Sequence, residues 1–266
     1  MGKMNKNFFQ SKHMIDEKIR QAERILLFLD YDGTLAPFHR DPLAVTTPPM
    51  ILEEIQKIQS NRNCEIIIIT GRMMNEIKQR IPINTISFAA IHGFHIELND
   101  ETKRKWDSSQ PERRLMKRIH QRISDHLESQ KDLNIEDKST SIAFHYRNVP
   151  PIQKQVVIET IEQIINDIDH THQLNIIHGA EVIEIRSTSM NKGLAVQYIQ
   201  HHFSKNHPLT IYIGDDTTDE DAFEIIGEKG ISVYVRNDSF RPSKARFWIS
   251  SQKEVIEVLQ FISASL

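Results

Sequence analysis

Short apolar runs alternate with helical patterns along much of the chain. The runs, each bounded by polar or turn residues, are ILLFL at 25–29, IIII at 66–69, ISFAAI at 86–91, LTIYI at 209–213, ISVYV at 231–235 and FWI at 247–249. Such β-branched runs are typical of strands that are buried on both faces. Aliphatic residues at helical spacing lie between several runs, as at Ile51, Ile55 and Ile58. This alternation predicts an α/β fold with a doubly wound, mainly parallel sheet.

The middle of the chain has a different pattern. A helix with leucine or isoleucine at every fourth position over 115–127 precedes an alternating segment at 139–147. A second amphipathic helix follows, and then the segment LNIIHGAEVIEIR at 174–186, which predicts a hairpin. Helix, strand, helix and hairpin together predict an α+β unit.

The sheet pattern resumes after this hairpin, so the α+β unit is an insertion. We therefore predict two domains. The α/β core would comprise 1–103 and 182–266, and the inserted α+β domain would comprise 104–181.

Charge and composition exclude several classes of function. The 266 residues carry 33 basic and 36 acidic side chains, with a net charge of −3 and no contiguous basic stripe, so nucleic-acid binding is not expected. No run approaches the roughly 18 apolar residues of a membrane-spanning helix, and the amino-terminal segment lacks the apolar stretch of a signal peptide. The single cysteine, Cys64, cannot form an internal disulfide. We therefore expect a cytoplasmic protein that binds neither nucleic acid nor membrane.

Polar side chains follow three predicted strands at the points where these strands end. Asp30 and Asp32 follow ILLFL, Thr70 and Arg72 follow IIII, and Asp215 lies in the acidic string after LTIYI. Because the carboxyl ends of the strands in such a sheet form the ligand crevice, we expect these side chains to surround one crevice. The competing interpretation of the first two aspartates is a helix cap and a turn.

A lysine is predicted to reach the same crevice. Lys192, in the string Asn191-Lys192-Gly193, opens a predicted helix. Carboxylate oxygens suit Mg²⁺, and lysine and hydroxyl donors suit phosphoryl oxygens. Neither GxxxxGK[ST] nor GxGxxG is present, so nucleotide-phosphate loops of those types are not predicted.

The motifs DxDGT, TGR, NKG and GDDxxD, in this order, resemble the haloacid dehalogenase-like phosphatases. Longer strings are similar to the trehalose-6-phosphate phosphatase family, and the similarity covers about residue 25 to about residue 260. These strings are LFLDYDGTLAPF at 27–38, AAIHGFHIEL at 89–98, HYR at 145–147, EIRSTSMNKGLAV at 184–196 and YIGDDTTDEDAF at 212–223. The resemblance implies a haloacid dehalogenase-like core and identifies the insertion as a cap domain that supplies substrate specificity.

The resemblance also implies an activity, the Mg²⁺-dependent hydrolysis of trehalose 6-phosphate in the last step of trehalose biosynthesis. Asp30 would attack phosphorus and form an aspartyl-phosphate, and Asp32 would act as the acid and base. Thr70 and Lys192 would bind the phosphoryl oxygens. Mg²⁺ would be held by a carboxylate oxygen of Asp30, the backbone carbonyl of Asp32 and the carboxylate of Asp215.

Residues that would bind the sugar are implied in the same way. Arg72 would contribute from the core, and the insertion would contribute Glu136 and Lys138 in EDK, Arg147 in HYR and Glu184 in EIR. For the four residues of the insertion, ordinary ion pairing at the surface is the alternative.

Two other functions remain open. The first is a phosphatase for sucrose 6-phosphate, a glucosylglycerol phosphate or a mannosyl-phosphoglycerate. The second is a non-catalytic domain that senses a sugar phosphate or regulates a synthase, although all four residues needed for the chemistry are retained. A trehalose-phosphate synthase is a candidate partner. The family commonly has Asp where this chain has Asn191, which leaves open how Lys192 is held.

Overall fold

The chain folds into two compact units. The computed structural model describes residues 5–39, 44–106, 109–137, 141–179, 181–237 and 241–266. The core unit comprises Met1–Lys105 and Asn191–Leu266, and the inserted unit comprises Trp106–Met190.

Strands and helices alternate in the core unit as the apolar runs predict, and the elements of both units are numbered here in chain order. The strands are β1 (Lys6–Asn7), β2 (Ile25–Asp30), β3 (Cys64–Ile69), β4 (Ser87–Ala90), β5 (His95–Glu97), β6 (Lys103–Lys105), β7 (Asn134–Asp137), β8 (Ser141–His145), β9 (Leu174–Gly179), β10 (Val182–Ser187), β11 (Leu209–Gly214), β12 (Ile231–Val235) and β13 (Phe247–Ile249). The α-helices are α1 (Lys12–Gln21), α2 (Pro49–Gln59), α3 (Met74–Arg80), α4 (Gln110–His126), α5 (Pro151–Ile168), α6 (Lys192–His202), α7 (Glu220–Ile226) and α8 (Val255–Ser265). Among the described residues, none of these helices combines the length and the apolarity needed to cross a bilayer.

The core sheet confirms the predicted fold class. Within the described residues its strand order is β1-β13-β12-β11-β2-β3-β4-β5-β6, and the strands are parallel except for the antiparallel pairs β4–β5 and β5–β6. Every residue of β2 and β3 is buried, as expected of strands covered on both faces. Because β2 lies between β11 and β3, the carboxyl ends of these three strands are adjacent.

The inserted unit contains an antiparallel sheet and two helices. The sheet has the order β7-β8-β10-β9, and one of its faces packs against α4 and α5. Phe144 of β8 and Ile183 of β10 share this apolar cluster with Ile119 of α4 and Ile161 of α5. The predicted helices and hairpin of this region are therefore confirmed.

The inserted unit extends beyond its predicted end at residue 181. Strand β10 pairs with β8 and β9, with Glu184 opposite Ala143 and Ile177, so its residues belong to the sheet of the inserted unit. The core unit resumes only at Asn191. A boundary placed in the turn of the hairpin separates two strands that need each other as hydrogen-bonding partners.

Candidate functional site

A buried network of charges lies at the carboxyl end of β2. Lys192, the first residue of α6, places its Nζ atom 2.6 Å from Asp30 Oδ1 and 2.7 Å from Asp219 Oδ1. The Lys192 side chain is only 2% exposed, and that of Asp30 is 6% exposed. Charges this deeply buried are stable only when they are paired, and each of these is paired.

Asp219 is held from several sides. Its Oδ1 atom also accepts a hydrogen bond of 2.6 Å from the Tyr212 hydroxyl, and its Oδ2 atom accepts one of 2.9 Å from the Asp216 N–H. Both carboxylate oxygens are therefore engaged within the protein. This arrangement suits a residue that positions Lys192.

The carboxylates at this edge of the sheet repel one another. Burial raises the pKa of Asp30 to about 7, and the nearby Asp219 adds to the rise while Lys192 opposes it. Burial, followed by the charges of Asp30 and Asp219, also raises the pKa of Asp215 well above its usual range. Burial alone would lower the pKa of Lys192, but Asp219 and Asp30 outweigh it and raise the pKa, so the amine stays charged.

The same carboxylates form a donor set that could hold a metal ion. Asp30, Asp215 and Asp219 each offer an oxygen, and these atoms lie within 4.8 Å of one another. Burial is the main reason that the pKa values of Asp30 and Asp215 are raised, and a cation bound beside these carboxylates would favour their ionised forms. Asp219 is fully buried and its Oδ1 atom already binds both Lys192 and Tyr212, whereas Asp215 is only partly buried, so Asp30 and Asp215 are the better ligands. Hard oxygen donors fit Mg²⁺.

A tight turn after β2 holds the Asp215 carboxylate. The Thr34 hydroxyl donates a hydrogen bond of 3.1 Å to Asp215 Oδ1. The amide of Asn237 donates one of 2.7 Å to the Gly33 carbonyl and one of 3.3 Å to Asp215 Oδ2. Gly33 has a φ of +82°, and a Cβ there would lie 2.3 Å from Asp215 Oδ2, so only glycine fits.

Sequence reasoning missed the roles of two residues that hold the Asp215 carboxylate. Thr34 lies inside the DGT motif, which gave a usable signal. Asn237 follows β12 without any motif, and no sequence signal could have found it.

Arg72 forms a bidentate ion pair with Asp32. Its Nη2 atom lies 2.6 Å from Asp32 Oδ1 and its Nε atom 2.7 Å from Asp32 Oδ2, while Nη1 donates to Glu76. The guanidinium is thus occupied by protein carboxylates, and its contact with a sugar stays a prediction. The Arg72 N–H also donates a hydrogen bond of 3.1 Å to Thr70 Oγ1. The hydroxyl proton of Thr70 is thereby directed away from Arg72 and can be donated elsewhere.

Asn191 acts as the N-cap of α6. Its side-chain oxygen accepts a hydrogen bond of 2.8 Å from the Leu194 N–H. Asn and Asp are about equally good N-caps, so Asn can fill this position. Asp30 and Asp219 hold Lys192 instead.

Two predicted sugar-binding residues share one face of the inserted sheet. Glu136 of β7 and Glu184 of β10 both lie opposite Ala143 of β8, on the face away from the apolar cluster. Two strand spacings put their backbones about 10 Å apart. Glu136 Oε2 lies 3.2 Å from His145 Nε2.

The other two predicted residues of the insertion are placed differently. Arg147 follows β8, and its Nε atom lies 3.3 Å from Glu181 Oε2, while Lys154 donates to the other oxygen, Glu181 Oε1. Lys138 lies outside the described residues. The ion pairs of Glu136 and Arg147 are of the kind that the surface-pairing alternative expects, so their contact with a sugar stays a prediction.

The fold and the arrangement of the site define the class of the protein. The C-terminal domain of Candida albicans trehalose-6-phosphate phosphatase superposes with a TM-score of 0.82 at 22% identity, and the match covers 98% of each chain. This likeness shows that the two chains share one fold.

The family follows from the sequence comparison. The sequence model of the trehalose-phosphatase family matches residues 28–253, and the chain belongs to this family. The predicted family is thereby confirmed.

Two curated relatives extend this comparison. A trehalose-phosphate phosphatase of Mycobacterium tuberculosis is 30% identical over 251 residues, which are 92% of this chain and 63% of that protein. This chain therefore spans less than two thirds of the length of that relative. A Dictyostelium discoideum protein named alpha,alpha-trehalose-phosphate synthase [UDP-forming] B is 26% identical over 252 residues, which are 94% of this chain and 32% of that protein.

Proposed function

We propose that this chain hydrolyses trehalose 6-phosphate to trehalose and phosphate, with Mg²⁺ as cofactor and an aspartyl-phosphate as intermediate. The observation that supports the proposal best is the buried pair of Asp30 and Lys192 beside Asp215 and Asp219, in a chain that belongs to the trehalose-phosphatase family.

The first step would be an in-line attack by Asp30 on phosphorus. Asp30 Oδ1 accepts the hydrogen bond from Lys192, so we assign the attack to the other oxygen, Oδ2. The new Oδ2–P bond forms as the bond from phosphorus to the sugar oxygen breaks, and that oxygen takes a proton from Asp32. Lys192 and the Thr70 hydroxyl would bind the phosphoryl oxygens and stabilise their charge.

The second step would be hydrolysis of the aspartyl-phosphate. Asp32 accepts a proton from water, the water oxygen bonds to phosphorus, and the Asp30–phosphorus bond breaks to release phosphate. The bidentate pair with Arg72 fixes the orientation of the Asp32 carboxylate, which accepts this proton. In the first step Asp32 must carry a proton, so we propose that the Arg72 contact loosens while substrate is bound.

The metal would be held by the carboxylates of Asp30 and Asp215 and by the backbone carbonyl of Asp32. When bound, Mg²⁺ supplies positive charge that neutralises the carboxylates and the phosphoryl group. Thr34 and Asn237 would keep the Asp215 carboxylate oriented for this purpose.

The sugar would be recognised by the polar face of the inserted sheet, which makes the inserted unit a cap domain. Glu136 and Glu184 lie on the same face of this sheet, and carboxylates accept hydrogen bonds from sugar hydroxyls with defined geometry. Arg147 would donate to the sugar from the end of β8. Ordinary ion pairing at the surface gives no reason for Glu136 and Glu184 to lie opposite the same residue of β8, Ala143.

We also propose a synthase as the partner that supplies trehalose 6-phosphate, and the synthase name of the Dictyostelium relative supports it.

A cytoplasmic location is supported by Cys64, which is a free thiol. It is buried, and burial raises its pKa to about 12, so the thiol stays protonated.

Phosphate release across a substrate panel tests the proposed function. The panel is trehalose 6-phosphate, sucrose 6-phosphate, a glucosylglycerol phosphate and a mannosyl-phosphoglycerate, each with Mg²⁺ and with EDTA. We expect kcat/KM for trehalose 6-phosphate to exceed the others at least about tenfold, and EDTA to abolish turnover. A faster second substrate would reassign the enzyme, and no turnover of any member would favour the non-catalytic alternative.

A further inference from the structure

A strained corner follows β4 in the core unit. Ile91 and His92 have φ values of 50° and 54°, and Gly93 follows with a φ of 101°. A β-branched residue such as isoleucine rarely adopts the left-handed region, and two successive non-glycine residues there are costly. Such a conformation persists only where surrounding contacts impose it, and functional sites are where it most often occurs.

This corner holds the Thr70–Arg72 turn at both ends. The His92 N–H donates a hydrogen bond of 2.8 Å to the Thr70 carbonyl, and the Ile91 N–H donates one of 3.0 Å to the Arg72 carbonyl. The Thr70 N–H donates one of 3.0 Å to the Ala89 carbonyl. Both N–H groups of this left-handed corner therefore donate to the turn.

The imidazole of His92 covers the middle of the same turn. His92 is 8% exposed, and a Cβ on Gly71 would lie 2.7 Å from its Nε2 atom and 2.8 Å from its Cε1 atom. Gly71 itself is outside the left-handed region, so its backbone would tolerate alanine. The ring of His92 is therefore the reason that this position needs glycine.

We propose that His92 is a positioning residue for the phosphoryl pocket, which acts by fixing the turn that carries Thr70 and Arg72. The Arg72 N–H donates to Thr70 Oγ1, so the direction of the Thr70 hydroxyl depends on the shape of this turn. The ring sets that shape at Gly71, and the two backbone hydrogen bonds set it at either end. This inference rests on the proposed function, because that function assigns the Thr70 hydroxyl to phosphoryl oxygens.

A double-mutant cycle between Gly71→Ala and His92→Asn tests the role of the ring. Asparagine tolerates the left-handed region and keeps the backbone N–H, but it lacks the ring. The readouts are the affinity for inorganic phosphate with Mg²⁺, kcat and KM for trehalose 6-phosphate, and the thermal unfolding midpoint. We expect each single variant to lose at least about tenfold in phosphate affinity and in kcat. When Gly71→Ala is added to the His92→Asn variant, phosphate affinity and kcat should each fall by less than about a further threefold, because the ring that would clash with the alanine is absent.

Several outcomes would overturn the inference. One is an equal effect of Gly71→Ala in both backgrounds. Another is a His92→Asn variant that unfolds at lower temperature but binds phosphate like the wild type, which would show a structural role only. His95→Asn, a nearby histidine substitution on β5, is the control and should leave phosphate affinity unchanged.

The proposed function and this inference can fail separately. A wild-type protein that hydrolyses no member of the panel but shows the predicted coupling in phosphate affinity would refute the function and keep the positioning role. A wild-type protein that binds no phosphate would overturn the positioning role as well.

Discussion

The carboxylates of the core site and those of the inserted unit have opposite electrostatic environments. Burial raises the pKa of Asp30 to about 7, and burial and neighbouring carboxylates raise that of Asp215. In the inserted unit, hydrogen bonding by Lys154 lowers the pKa of Glu181. Burial would raise the pKa of Glu112, but hydrogen bonds from Ser187 and Ser109 lower it.

This difference separates carboxylates whose hydrogen bonds outweigh the effect of burial on the pKa from carboxylates for which burial dominates. Glu112 accepts hydrogen bonds of 2.5 Å from the Ser187 hydroxyl and 2.7 Å from the Ser109 N–H, so it stabilises the start of α4. For Asp30 and Asp215 burial outweighs the favourable contacts, and neighbouring carboxylates add to the rise in pKa. A bound cation would offset both effects, which is why perturbed carboxylates of this kind are typical of functional sites.

The largest effect is expected from Asp30→Asn, which keeps the shape of the core site and removes its nucleophile. Turnover of trehalose 6-phosphate should fall at least about 10⁴-fold, because an amide oxygen cannot form the aspartyl-phosphate. The measurement is steady-state phosphate release, together with substrate binding by calorimetry, which should persist.

The matched control for this variant is Glu224→Gln, an exposed carboxylate on α7 that pairs with Lys244. Its turnover should equal that of the wild type. If Asp30→Asn kept more than a few per cent of the activity, the buried pair with Lys192 would be a structural feature like the pairs of the inserted unit.

Much of the core site could be predicted because it lies where buried strands end. The apolar runs located β2, β3 and β11, and the carboxyl edge of a parallel sheet is a general place for ligands. That geometry puts Asp30 beside Lys192, although their roles stay predictions.

The rest depended on contacts that no local pattern encodes. The amide of Asn237 reaches the carbonyl of Gly33, which is remote in sequence, and a backbone carbonyl has no sequence signature. The pairing of Arg72 with Asp32 is likewise a tertiary contact between two residues that were assigned separate roles. Helix α1 was missed because its sequence KHMIDEKIRQ is mostly polar and only Ile15 and Ile19 are buried.

An intermediate effect is expected for the pH dependence of Mg²⁺ affinity. Because the pKa of Asp30 is raised to about 7, protons compete with the metal for Asp30 near neutral pH, and the raised pKa of Asp215 adds to this competition. Affinity should therefore rise as the pH increases from 6 to 8, by up to about tenfold per pH unit for each proton displaced. Calorimetric titration in buffers of different ionisation enthalpy measures both the affinity and the protons released.

Asp215→Asn is the informative variant for this measurement, since it removes one of the repelling charges. The Mg²⁺ affinity of this variant should be lower than that of the wild type and should depend less on pH. An affinity for Mg²⁺ that did not change with pH in the wild type would show that the core carboxylates are as well satisfied as Glu112 and Glu181.

The smallest effect is expected in the inserted unit, from Glu184→Gln. A glutamine keeps the size of the side chain and one acceptor oxygen but loses the charge, so a hydrogen bond to a sugar hydroxyl would weaken without distorting the sheet. We expect KM for trehalose 6-phosphate to rise about tenfold, while kcat for p-nitrophenyl phosphate, which has no sugar, stays unchanged.

Glu162→Gln on α5, whose carboxylate lies 3.5 Å from His178, is the control for a surface ion pair. Equal KM values for Glu184→Gln, Glu162→Gln and the wild type would favour ordinary ion pairing over sugar recognition on the polar face of the inserted sheet.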